Sequence, residues 1–213
     1  MRMLLLALAL TAAAVPAFPQ ALQSRSQALA ALQSPDAAAR AEGIVWIANR
    51  GAQSDAALLH GRLRDDSPFV RAYAEQGLWL LWSRSGDAEI DRLLAQGTEQ
   101  MQTGRYGEAI TTFSSVIARK PDFAEGWNKR ATVYYLAGDY PRSIADCDEV
   151  LKRNPSHFGA LSGLGQIHAK LAQYEQALAW FRRALEVNPN LAGVEENVRG
   201  IEQLLKEKRG RSI

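Results

Sequence analysis

Apolar residues in the second half of the chain fall at helical spacing, and the helices they predict return in register at one fixed period. The segments "GRYGEAITTFSSVIARKPDF", "GDYPRSIADCDEVLKRNPSHF" and "AQYEQALAWFRRALEVNPNL" each carry an apolar stripe opposite a polar face, the mark of an amphipathic helix. Superposed, they bring Tyr106, Tyr140 and Tyr174 into one column, Ile110, Ile144 and Leu178 into a second, and Val116, Val150 and Ala184 into a third. All three run to a proline, Pro121, Pro155 and Pro189, with 155 − 121 = 34 and 189 − 155 = 34. Proline turns the residue before it away from helical angles, so each one marks where a helix stops. Gly97, Ala131 and Gly165 recur in the preceding helix of each period, where a small residue lets two helices approach closely. One such pair cannot bury its own apolar face, so the period predicts a stack. "AGVEENVRGIEQLLKEKRG", with Val194, Val198, Ile201, Leu204 and Leu205 on one stripe, is predicted to cap its end.

This register resembles the tetratricopeptide repeat, a 34-residue helix pair, with units at 90–123, 124–157 and 158–191 and a cap and basic tail at 192–213. The alanine of the family's second helix falls on Ala109 and Ala177, with Ser143 departing. The aromatic four residues on falls on Phe113 and Phe181, with Cys147 departing, and Trp127 stands where the family often has tryptophan. The resemblance implies an all-α, right-handed helical-repeat solenoid whose concave face, lined by the first helix of each pair, holds a protein or extended peptide. On that register the inward positions are Asp91, Thr98, Gln102, Glu125, Asn128, Lys129, Thr132, Tyr135, Ser162, Gln166 and Lys170. One subtype of the family binds chaperone C-termini through a carboxylate clamp of Lys, Asn and Arg. Here the corresponding positions include Leu94, Thr98, Gly159 and Gly163, so the clamp is absent.

Residues 18–89 carry a looser pattern. "SPDAAARAEGIVWIANRGAQSDAALLHGRL" lies over "DSPFVRAYAEQGLWLLWSRSGDAEIDRLL", each with Ser-Pro, an arginine (Arg40, Arg71) and an apolar helix bearing tryptophan (Trp46, Trp79). This is similar to short HEAT-like helical repeats. The Ser-Pro elements are offset by 68 − 35 = 33, but the arginines only by 71 − 40 = 31. Ser34 and Ser67 are expected to cap helices that open on proline. Trp79 and Trp82 share a helix face and are expected to pack in the core or between repeats. No Pro- or Ser-rich linker separates the halves, which predicts one continuous solenoid.

Composition adds a compartment and removes several chemistries. The start, "MRMLLLALALTAAAVPA", has Arg2, an apolar run over 3–15 and a small-residue site, and reads as a signal peptide over 1–17 cleaved near Ala17. The run would span about 20 Å as a helix against ~30 Å for a bilayer core. A periplasmic protein is expected, with secreted or signal-anchored forms as alternatives and no integral membrane segment in the mature chain. A charge of +2 in 213 residues, with pI 8.8, gives no reason to expect a nucleic-acid partner. Cys147 is the only cysteine, so no intramolecular disulfide forms, and a small buried side chain is expected there. His60, His157 and His168 have no metal-ligand spacing. His168 is expected to be packed, and His157 to be a solvated turn residue. "GALSGLG" (159–165) lies inside a helix and does not fit a phosphate loop. No cofactor, metal or catalytic constellation is expected. The sequence reads as a non-catalytic adaptor of the bacterial envelope; a structural or self-associating scaffold is the alternative, homo-oligomerisation is left open, and an enzyme comes last.

Overall fold

The computed structural model describes residues 22–210. The expected signal peptide and the last three residues of the tail lie outside them. The elements are α1 (Arg25–Leu32), α2 (Ala37–Arg50), a short 3-10 turn (Gln53–Asp55), α3 (Ala56–Arg62), α4 (Pro68–Trp82), α5 (Ala88–Gln102), α6 (Tyr106–Arg119), α7 (Ala124–Leu136), α8 (Tyr140–Arg153), α9 (Phe158–Lys170), α10 (Tyr174–Val187) and α11 (Ala192–Gly210). The architecture is an all-α helical-repeat solenoid.

In the second half, α5 packs on α6, α7 on α8 and α9 on α10, with α6 against α7, α8 against α9 and α11 closing against α10. Tyr106, Tyr140 and Tyr174 open α6, α8 and α10 at the period of the prolines, and Ala124 and Phe158 open α7 and α9 at the same one. The turn inside each pair needs a left-handed residue at one register. Gly104 (φ 75°) and Gly138 (φ 76°) supply it, and Ala172 (φ 57°) takes the same conformation with a Cβ.

The two departures from the repeat pattern explain each other. A methyl group at Gly97 would stand 2.6 Å from the Phe113 ring, and one at Gly165 2.4 Å from the Phe181 ring. In these pairs the aromatic ring fills the place of the absent Cβ. The middle pair has Ala131 instead, and Cys147 stands where the phenylalanine would collide. Ser143, the other departure, donates from Oγ to Ala131 O at 2.8 Å. The buried volume is kept by a paired exchange, as close-packed interiors demand.

The first half belongs to the same helical body and also reaches across to the later repeats. Its helices pack on one another, α1 on α2 and both α2 and α3 on α4. Their core of Leu32, Ile44, Ile47, Leu59 and Leu78 also takes in Phe158, the first residue of α9. Trp79 and Trp82, edge to face at 5.6 Å, lie on Phe158 at 5.1 and 5.0 Å. Gly159 is pressed against Trp79, whose Cη2 would be 2.4 Å from a methyl group there. Polar contacts follow the same seam: Asn188 Nδ2 donates to Glu75 Oε2 at 3.0 Å, Lys120 Nζ to Ser85 O at 2.5 Å, and Arg64 to Glu186 O. The two tryptophans thus pack between repeats, as expected, and they meet the boundary of the second and third units at His157 and Phe158.

Helix starts in this half also differ in detail from expectation. Asp36, not Ser34, caps α2, accepting from the N–H groups of Ala38 and Ala39; Ser34 Oγ accepts from Asp36 N. Ser67 does precede α4, but its hydroxyl makes no capping bond. Its own N–H donates instead to Asp65 Oδ1 and Asp66 Oδ1. An aspartate outcompetes a nearby serine because a charged acceptor makes the stronger bond to a helix N-terminus.

Candidate functional site

Helical periodicity puts Asn128, Thr132 and Tyr135 on one face of α7, and Ser162 and Gln166 on one face of α9. The structure brings these five together around a cavity of about 190 Å³ between the two helices. Ala131, Cys147 and Ile167 form its floor with Gly159 alongside, and Gly163 leaves one wall open. None of the side chains lining it is charged. Two of the hydroxyls around it turn back to their own helices: Thr132 Oγ1 donates to Asn128 O at 2.9 Å and Ser162 Oγ to Gly159 O at 3.0 Å. Burial, first, and then the carboxylates of Asp146 and Asp148 push the Cys147 thiol up to about 12, so the floor is a neutral S–H.

Gly163 differs from the glycines that helix packing demands. A methyl group there would meet only Cys147 Sγ, at 3.9 Å. Packing would accept alanine, yet the sequence keeps the poorer helix former, and the cavity is deeper for it.

The other six predicted positions are placed differently. Asp91 is occupied by the turn just before its helix, with Oδ1 accepting from Ser85 N at 2.7 Å, and Thr98 Oγ1 donates to Leu94 O. Gln102 and Lys170 are exposed at the ends of α5 and α9. Glu125, expected to face the groove, is instead 1% exposed. It is enclosed by His157, Asn128 and Lys129. Lys129 is drawn to it, Nζ 3.3 Å from Oε1, and so is not a free groove cation.

His157 is the second correction. It is fully buried, not solvated. Nε2 lies 3.2 Å from Glu125 Oε2, Nδ1 accepts from Ala160 N at 3.1 Å and caps α9, and the ring stacks on Trp82 at 4.5 Å. Burial raises the cost of charge on Glu125, but the hydrogen bond from His157 and the neighbouring Lys129 ammonium outweigh it, holding the carboxyl below its ordinary value. His168 is half-buried, as expected of a packed residue, with Nδ1 2.6 Å from Gln173 Oε1.

A second concavity of about 620 Å³ lies on the outer face of α2 and α4, lined by Leu22, Val45, Trp46, Phe69 and Tyr73 among others. Among the described residues no group of three or more His, Cys, Asp or Glu is placed to hold a metal ion, and no helix is long and apolar enough to cross a membrane.

Stacked helix pairs with a polar-rimmed cleft between their first helices define a helical-repeat scaffold. A family model for the tetratricopeptide repeat matches residues 94–152 and 137–192. A TPR repeat-containing protein of Rhizobium etli is 31% identical over 181 residues, covering 83% of this chain and 89% of that protein. The chain belongs to the tetratricopeptide-repeat family. The Rhizobium match is too long for the repeat units alone and extends into the first half. Hsp70-Hsp90 organizing protein 1 of Glycine max is 26% identical over 121 residues, 56% of this chain but only 21% of that protein. Among solved structures, the first TPR of Spaghetti bound to the HSP90 peptide SRMEEVD superposes with a TM-score of 0.54 at 26% identity, covering 56% of this chain and 96% of that one. A type III secretion translocator chaperone of Yersinia enterocolitica, at 14% identity and a TM-score of 0.53 over 58% of this chain and 98% of its own, shares the fold.

Proposed function

We propose that this chain is a non-catalytic adaptor that holds an extended segment of another protein in the groove between α7 and α9. The observation that carries this reading is the convergence of Asn128, Thr132, Tyr135, Ser162 and Gln166 on one cavity. At about 190 Å³ it is smaller than the roughly 300–1,000 Å³ of small-molecule sites and suits a single side chain. With no charge in its lining, it favours an apolar or small neutral side chain, while Asn128 and Gln166 meet the peptide backbone. The HSP90 peptide of the Spaghetti structure is acidic; the uncharged positions here support a different ligand chemistry. The signal-peptide-like start supports placing the adaptor in the bacterial envelope.

A photo-reactive amino acid at Gln166 is the direct test, carried out in cells with the full chain and a matching substitution at exposed Ser115 as control. Gln166 is expected to capture a polypeptide that the Ser115 control does not. Identical recovery from both positions would remove the reading. Fractionation and N-terminal sequencing test the compartment, with a mature chain expected to begin near Phe18.

A second reading, a self-associating scaffold, is favoured by Phe69, 51% exposed beside the outer concavity of α2 and α4. Sedimentation of the wild type against Phe69→Ser decides it: an assembly that the substitution dissociates supports the scaffold, and a wild-type monomer at high concentration dismisses it.

A further inference from the structure

One side chain at the groove is more than nine-tenths buried and still offers a polar atom to it. Asn128 is 8% exposed; its Nδ2 donates to Glu125 Oε2 at 3.1 Å, and its Oδ1 has no partner among the described residues. The same carboxylate oxygen takes the contact from His157 Nε2. Because His157 Nδ1 accepts the Ala160 N–H, the proton of the neutral ring sits on Nε2, aimed at Glu125. Trp82 stacks on the imidazole with 23° between the planes, and Trp79 meets its edge at 5.5 Å. Both tryptophans belong to the first half.

We propose that Trp82, His157 and Glu125 are positioning residues for the groove, through which the docked first half fixes the Asn128 amide with Oδ1 toward a bound peptide. A buried carboxylate is costly unless it is paired and hydrogen-bonded; here the imidazole and the Asn128 amide share Oε2, while Oε1 has the Lys129 ammonium at 3.3 Å and no hydrogen bond among the described residues. If the Trp82 ring is lost, the imidazole is free to turn and water reaches Glu125. The carboxylate then no longer depends on Asn128, whose amide is released. The first half touches no groove ligand, yet sets the orientation of the group that meets one. The role of the peptide rests on the proposed function; the positioning does not.

The test reads solvent exchange of the Asn128 side-chain amide hydrogens by NMR in the full chain. Gln166, which lines the same cavity, is the internal control. Trp82→Leu and His157→Ala are each expected to speed exchange at Asn128 about tenfold, the scale of losing a hydrogen bond to a charged group, with Gln166 unchanged. His157→Gln keeps a donor for Glu125 and is expected to restore slow exchange. Should Trp82→Leu fail to fold, the His157→Ala and His157→Gln pair carries the comparison. Slow exchange at Asn128 in folded His157→Ala would overturn the proposal. A wild-type chain that captures no polypeptide through Gln166 would remove the functional reading alone and leave the exchange result standing.

Discussion

Arg71 Nε donates to Asn190 Oδ1 at 2.9 Å, reproducing with the loop after α10 the contact that Arg40 makes with Asp65. Arg40 Nε and Nη2 reach Asp65 Oδ2 and Oδ1 at 2.8 and 2.6 Å, while its Nη1 donates to the carbonyls of Ser34 and Pro35. Arg71 Nη1 donates likewise to the carbonyls of Asp65 and Asp66. Each arginine thus ties its own preceding turn to the turn of the next unit, and for Arg71 the next unit in space is the third tetratricopeptide repeat. Arg71→Ala is expected to cost about 1–2 kcal/mol in urea unfolding, and to shift tryptophan emission to the red as Trp79 and Trp82 lose their cover.

Acid should weaken this half first. Burial pushes the Asp65 carboxyl up, but the bonds from Arg40 and the Ser67 N–H prevail and bring it down from 3.8 to about 2. A folded-state pKa below the unfolded one stabilises above the unfolded value and loses that stability as pH falls through the folded one. Unfolding free energy should therefore drop by about 2 kcal/mol between roughly pH 4 and pH 2 on account of this group. Asp65→Asn should be less stable at neutral pH and flat across that window, as measured by denaturant titration at each pH.

Ala172 holds a conformation that its counterparts Gly104 and Gly138 adopt freely. Ala172→Gly is expected to raise stability by about 0.5–1 kcal/mol, the relief of left-handed strain less the entropy glycine adds to the unfolded chain. Gly138→Ala should lower it by about 1 kcal/mol. Thermal unfolding of the two variants should move the midpoint in opposite directions.

Two glycines on the same stretch of α9 should answer the same substitution with opposite sign. Gly165→Ala drives a methyl group into Phe181 and should cost about 1–3 kcal/mol. Gly163→Ala meets only ordinary contact and should gain up to about 1 kcal/mol from helix propensity. The same change shallows the cavity, so cross-linking through Gln166 should fall while the melting temperature rises.

The parts of this fold that repeat locally are legible from residues alone. Tyr106, Tyr140 and Tyr174 sit at matched helix starts because each is set by its own turn. Asn128, Thr132, Tyr135, Ser162 and Gln166 share a face because helical geometry puts them there. In the first half two spacings compete, and that of the arginines is the structural one, since Arg40 and Arg71 fix successive turns through equivalent carbonyls. The Ser-Pro elements are not equivalent: Asp36 caps one helix, whereas Pro68 opens the other directly after Ser67. His157 and Glu125 escape the sequence for a different reason. A turn between repeats ordinarily meets water, and what buries His157 is Trp82, far earlier in the chain, in a contact that no local pattern announces.

That same seam changes how the molecule should come apart. Repeat arrays whose units touch only their neighbours can fray from an end and melt in stages. Here Phe158 sits in the core of the first half, and Arg71 is bonded to Asn190 across most of the described chain. The third unit therefore cannot loosen without opening the first half. Unfolding is expected to be a single cooperative transition, and refolding slower than in a simple array, because the chain must close that long loop before either side is secure.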